Sequence, residues 1–319
     1  MKITSFAGVL AATLLIGLEG LGAAEAPKVN ANGTQTAEGA GTESDSDEAD
    51  QLAKQLSNPV AALISVPFQA NEDFNIGPAN GYKFTLNIQP VIPISISKNW
   101  NLILRTILPV ISQTDVFGKS GIQSGLGNTT QSFFLSPKAP GPGGLIWGLG
   151  PVGYYPTATD SLLGPEKWGL GPTLVALVQK GGWTVGILAN QIWSLGGDNN
   201  EANINATYLQ PFVNYTTKTH TTFGLDMEDT YDWVADQWTA PFNLTVSQML
   251  KIGKQPISIQ FGGRYYAEAP SGGPDWGLRL NFTLLFPTAK AKPGPGHVAG
   301  TTAKGKKSRA LLQFRDGPQ

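Results

Sequence analysis

Hydrophobic and polar residues alternate with period two through most of this chain, and that alternation predicts β-strands with one greasy face and one polar face. The clearest stretch runs from Gly81 to Ile96. Tyr82, Phe84, Leu86, Ile88, Ile92 and Ile94 share one face, and Lys83, Thr85, Asn87 and Gln89 the other. Between Gln237 and Ser247, Trp238, Ala240, Phe242, Leu244 and Val246 alternate with Gln237, Thr239, Asn243, Thr245 and Ser247. From Asp275 to Phe286, Trp276, Leu278, Leu280, Phe282, Leu284 and Phe286 alternate with Arg279, Asn281 and Thr283. Two further stretches, 223–233 and 257–268, follow the same rule. Spacing extends the pattern to about twelve segments between residues 60 and 287, each of roughly 10–16 residues, which suits tilted strands crossing a bilayer. The predicted spans are 61–70, 82–97, 100–112, 127–136, 145–156, 168–179, 182–194, 204–216, 221–233, 237–249, 256–268 and 276–287. No apolar run after residue 60 is long enough for a membrane helix. The expected fold is therefore all-β: an antiparallel transmembrane β-barrel of about twelve strands.

Other segments set the expected domains. Met1–Ala26 reads as an export signal: Lys2, an apolar run from Phe6 to Leu18, then small residues, with cleavage after Ala24 favoured because Pro27 follows Ala26. An uncleaved signal anchor is the other reading. Residues 27–58 are polar and acidic, predicted disordered apart from one or two helical turns over 50–56 that Asn58-Pro59 ends. The barrel is expected over 59–287. Residues 288–319 form a Pro/Gly/Lys-rich tail, expected to be flexible and basic, either a solvated appendage or a binder of an acidic partner.

Composition narrows the picture. Charged residues make up 14%, against about 25% in typical soluble domains. Low charge fits a protein whose apolar residues face lipid. The net charge of −1 gives no reason to expect nucleic acid. The absence of cysteine excludes disulfides, thiolate metal sites and a lipid-anchor thiol. All 8 Trp and all 8 Tyr lie in the strand region, the Trp mostly near strand ends, as in interfacial girdles. Predicted turns on one side carry Lys98, Lys138, Lys180, Lys218, Lys251 and Lys254. The opposite loops carry acids, among them Asp115, Asp160, Asp198 and Asp236. If the N-terminus starts in the periplasm, the lysine turns are periplasmic.

Catalysis is not expected. The 2 histidines, His220 and His297, fall in a turn and in the tail, without metal-ligand spacing or a placed nucleophile, and no cofactor motif occurs. The informative feature is charge on the polar strand faces. Lys83, Arg105, Asp226, Glu228, Asp232, Arg264, Glu268 and Arg279 are expected to point into the lumen, because charge facing lipid costs about 2–4 kcal/mol near the midplane. They would form either a selective constriction or an ion-pair network that holds the barrel's shape.

The runs QLSNPVAALISVPFQ (55–69), GNTTQSFFLSP (127–137), GGRYY (262–266) to WGLR (276–279), NATYLQPF (205–212) and TYDW (230–233) resemble a family of bacterial outer-membrane proteins called transporter-like, or related to the putative MetA pathway of phenol degradation. The resemblance spans about residues 50–287. It implies an outer-membrane barrel in a Gram-negative cell that passes small, hydrophobic or aromatic molecules, and it carries no functional residues onto this chain. A tail beyond the last strand departs from barrels that end on a terminal aromatic. The expected partners are outer-membrane lipid, a small solute and, during biogenesis, the barrel-assembly machinery. A plugged barrel with a structural or adhesive role, and a secreted soluble β-sandwich, are the competing readings.

Overall fold

A computed structural model describes residues 39–287. The signal and tail readings lie outside those residues, as does the part of the predicted disordered segment before Gly39. The chain divides into Met1–Ser44 and Asp45–Gln319, and the second unit carries the fold. Helix α1 is assigned over Gly39–Leu56 and enters that unit at Asp45. Twelve strands come after it: β1 (Ile64–Ile76), β2 (Gly81–Ile88 and Val91–Ser95), β3 (Trp100–Thr114), β4 (Ile122–Leu126 and Thr129–Pro137), β5 (Leu145–Tyr155), β6 (Lys167–Lys180), β7 (Trp183–Gly197), β8 (Asn205–Thr216), β9 (Thr221–Met227 and Asp229–Asp232), β10 (Gln237–Ile252), β11 (Gln255–Glu268) and β12 (Trp276–Phe286).

Each strand pairs antiparallel with its sequence neighbours, and β12 closes the ring on β1 in unbroken register from Ile64↔Phe286 to Phe74↔Trp276. The product is a closed 12-strand antiparallel barrel. Short turns make the meander possible. Gly181-Gly182 joins β6 to β7 and Gly253-Lys254 joins β10 to β11, each a two-residue hairpin with a left-handed first glycine (φ 60° in both). Closure leaves no unpaired edge, as lipid requires.

Side-chain parity is inside out. Leu278, Leu280 and Phe286 are exposed on the outer face of β12, while Arg279, Thr283 and Leu285 are buried inside. On β10, Leu244 is 68% exposed and its neighbour Asn243 fully buried. Aromatic pairs ring both ends of the outer wall. Phe74/Trp276, Tyr155/Trp168 and Tyr231 with Trp233 and Trp238 mark the loop end. Trp100/Trp147 and Trp183/Tyr215 mark the turn end. These are the girdles expected of a barrel seated in lipid.

The structure departs from the sequence expectations in three places. Strand β1 runs to Ile76, and β3 and β4 reach Thr114 and Ile122, so the loops expected at 71–80 and 113–126 are shorter. Acidic and glycine-rich stretches looked like loop, yet ladder pairing holds them as strand. Helix α1 starts at Gly39 rather than Asp50; once its C-terminal turn is fixed, each further residue costs little compared with nucleation. Most telling, β3 to β7 carry apolar residues inward at the turn end: Ile103, Phe134, Val175, Leu177 and Leu188. They are apolar because the segment around Val60, and not water, fills the interior at that height.

Two glycines make the wall possible where Pro151 faces Pro172 and neither donates to the ladder. A Cβ on Gly150 would lie 1.8 Å from the Phe133 carbonyl oxygen, and one on Gly171 1.6 Å from that of Gln191. Because Leu244 faces outward, Leu244→Arg should destabilise the protein in bilayers by about 2–4 kcal/mol, measured by denaturant unfolding in vesicles, whereas Leu244→Phe should cost less than about 1 kcal/mol.

Candidate functional site

The lumen holds three layers. The first closes the turn end and is made by the chain's own N-terminal segment. Helix α1 stops at Leu56, as Asn58-Pro59 demands. Ser57 N–H and Oγ both donate to the Ala53 carbonyl, at 3.2 Å each, and Asn58 Oδ1 accepts from Val60 N–H at 3.0 Å. Leu52, Ala53, Ala61 and Leu63 then pack with Met249 and Leu285 from the wall. Val60 enters the pocket of Ile103, Phe134, Val175, Leu177 and Leu188. Each fully buried aliphatic side chain contributes roughly 1.5–3 kcal/mol, so this segment is held firmly. Polar ties flank it. Gln179 Nε2 donates to the Lys54 carbonyl at 2.8 Å, His220 Nδ1 lies 2.7 Å from Asp50 Oδ1, and Lys251 Nζ lies 3.5 Å from Glu48 Oε2.

Above this stopper lies a cavity of about 510 Å³, lined by amides, hydroxyls and apolar side chains in comparable measure. Asn190, Gln210, Thr245 and Asn281 are typical. Arg105, Asp226, Glu228 and Arg279 also face it.

The third layer is a belt of paired charges on β1, β9, β11 and β12. Arg279 Nη2 donates to Glu228 Oε2 at 2.7 Å, its Nε donates to Asn71 Oδ1 at 2.8 Å, and its Nη1 is 3.9 Å from Asp226 Oδ2. Arg264 sits 3.3 Å from Asp73 and 3.5 Å from Glu228, and its Nη2 donates to the Tyr266 hydroxyl at 3.1 Å. Asn243 donates to Asp226 at 2.9 Å. Register explains the cluster: Asn243 stands opposite Asp226 and Arg264, and Asn71 opposite Arg279. Beside the belt the 156–166 loop folds inward over the wall, with Leu163 buried and the Leu162 carbonyl accepting from Gln113.

Of the eight charged residues singled out from sequence, Asp226, Glu228, Arg264 and Arg279 meet in this belt. Lys83 lies on the inner face opposite Asp73. Arg105 stands apart, its Nη2 donating to Gln89 Oε1 at 3.2 Å. Asp232 caps the β9–β10 turn by accepting from the N–H groups of Val234 and Ala235, and Glu268 is exposed at the end of β11. Neither joins the belt. Sequence reasoning missed Asp73, Asn71 and Tyr266. The first two lie in Asn71-Glu72-Asp73, a stretch with the composition of a loop, although the alternation of Gln69, Asn71 and Asp73 against Phe68, Ala70 and Phe74 carries the strand onward. Among the described residues no group of three or more His, Cys, Asp or Glu could hold a metal ion.

No family model matches the chain, and neither does any curated protein. Solved structures do resemble it. The COG4313 outer membrane channel from Pseudomonas putida F1 superposes with a TM-score of 0.56 at 16% identity, over 70% of this chain and 96% of that one. The KdgM porin aligns with a TM-score of 0.40 at 11% identity, covering 70% and 99%. The outer membrane phospholipase A from Escherichia coli aligns with 0.43 at 10%, covering 70% and 97%. At such identities the likeness to the first establishes a shared barrel fold.

The stopper is open to direct test. Val60→Asp places a carboxylate in an apolar pocket, a cost of several kcal/mol without a partner. Residues 49–63 should resist protease in the folded parent and be cut rapidly in this variant, while the barrel core stays intact on a gel.

Proposed function

We propose that this chain is an outer-membrane channel for small molecules, stoppered at its periplasmic end by its own N-terminal segment. The observation that carries the reading is the closed barrel whose polar, partly charged cavity lies between the stopper and an ion-pair belt. A barrel serving only as a wall has no need of an inward-facing cavity lined by amides and guanidinium groups. In this reading the lysine-bearing turns face the periplasm and residues 1–26 are removed after export. The lipid bilayer takes up the aromatic-bounded outer wall, and assembly machinery inserts it. The hydrophobic or aromatic character of the solute rests on the sequence resemblance, and the charged belt sorts solutes before they reach the cavity. The active chemistry is passage, not catalysis: among the described residues, His220 is engaged by Asp50 of the stopper.

The stopper also favours a second reading, a permanently closed barrel with a structural role. Planar-bilayer recordings separate the two. Full-length mature protein should conduct weakly or in brief openings. Deleting residues 27–56, which leaves every strand in place, should raise conductance several-fold. Arg264→Ala in that background should shift the reversal potential toward cation preference, because it removes a lumen cation. No conductance from either form would refute the channel.

A further inference from the structure

We infer that the cavity contains a carboxylate-binding site between Arg105 and Arg279, built to take a small organic acid: one carboxylate on a compact apolar body. This rests on the channel reading only for its physiological use; the site itself stands on hydrogen-bond accounting.

Two amides, buried Gln89 and half-buried Gln69, link the arginines across the inner wall. Arg105 Nη2 donates to Gln89 Oε1 at 3.2 Å, and Gln89 Nε2 lies 2.6 Å from the Gln69 amide. The other atom of that amide faces Arg279 Nη1 and Nε, both at 3.1 Å. Two orientations of Gln69 are open. With its oxygen toward Gln89, its nitrogen confronts the Arg279 donors. With its oxygen toward Arg279, its nitrogen confronts Gln89 Nε2. A guanidinium at each end supplies only donors, and each amide supplies one acceptor oxygen. Either way, two N–H groups meet, so the row has more donors than acceptors. Arg279 already has acceptors in Asn71 and Glu228, so the surplus donors belong to the two amides and Arg105, which face the cavity and can be met from that side.

An oxyanion at this row removes the conflict. It accepts from Arg105 and from the freed amide N–H, and it brings the negative charge that Arg105 lacks. Among the described residues no carboxylate lies within ion-pair distance of Arg105, whereas Arg264 and Arg279 are both paired. All four residues of the row face the same cavity. Its remaining surface includes Ile107, Leu188, Ile192, Tyr208 and Phe212, which provide apolar and aromatic contact for the body of the acid. Arg binds carboxylate in a forked, bidentate geometry that a neutral amide cannot reproduce.

The test is titration of sodium benzoate into the purified, detergent-solubilised full-length protein, followed by calorimetry. Benzamide serves as the neutral isostere and inorganic phosphate as an anion without the apolar body. Benzoate should bind at least about tenfold more tightly than either. Arg105→Gln should weaken benzoate by about 10- to 100-fold and leave benzamide unchanged. Gln89→Glu places the chain's own carboxylate beside Arg105 and should abolish benzoate binding, with the heat-dependent gel shift of the folded barrel retained. Equal affinity for benzoate and benzamide, phosphate binding as tight as benzoate, or undiminished benzoate binding by Arg105→Gln would each overturn the site. Because binding is read without flux, a silent bilayer with intact benzoate binding removes the channel reading alone. Conductance without benzoate binding removes this site alone.

Discussion

Backbone hydrogen bonding in a medium without water governs this structure. A strand in lipid must pair on both edges, so twelve strands have to close, and the β12–β1 ladder from Ile64↔Phe286 to Phe74↔Trp276 completes the ring. Closure then dictates parity. With lipid outside and an interior shared by water and protein, every second residue is sorted by the solvent it meets. Leu244 and Asn243 are adjacent in sequence and lie at opposite extremes of exposure for that reason.

That sorting is why so much of the fold could be read from the sequence. Period-two alternation in β2, β10 and β12 placed strands, turns and inner faces, and the even count of twelve came from spacing. Parity also placed Asp226, Glu228, Arg264 and Arg279 on the inner wall. Which of them would touch could not be read, because contact depends on register: Arg264 meets Glu228 only through the alignment of β9, β10 and β11. Asp232 shares the parity of the belt but stands at the loop end, a matter of height that alternation does not encode. Glu268 leaves the inner face altogether, because a bulge after Tyr266 shifts the register and sets it opposite Ala240 on the outer face. Asp73 was hidden by its surroundings, since Asn71-Glu72-Asp73 has the composition of a loop and is strand only through pairing with β2 and β12.

The stopper was invisible for a different reason. Residues 49–63 have ordinary helix and turn signals, and nothing local says that they fill a lumen. A trace existed elsewhere. Ile103, Phe134, Val175, Leu177 and Leu188 put apolar side chains on inner faces where polar ones belong. In a barrel such a violation means that something other than water occupies the interior at that height. The layers of the lumen thus follow from its wall: apolar where the chain's own segment sits, mixed amide, hydroxyl and apolar where the cavity opens, and paired charge on β1, β9, β11 and β12.

The central claim, an apolar outer wall around a polar interior, can be tested residue by residue because the chain has no cysteine. Single cysteines at 242 through 247 on β10, labelled with bimane in vesicles containing nitroxide lipids, report which positions face acyl chains. Quenching should be strong at 242, 244 and 246 and weak at 243, 245 and 247. Uniform quenching, or strong quenching at the odd positions, would contradict the account.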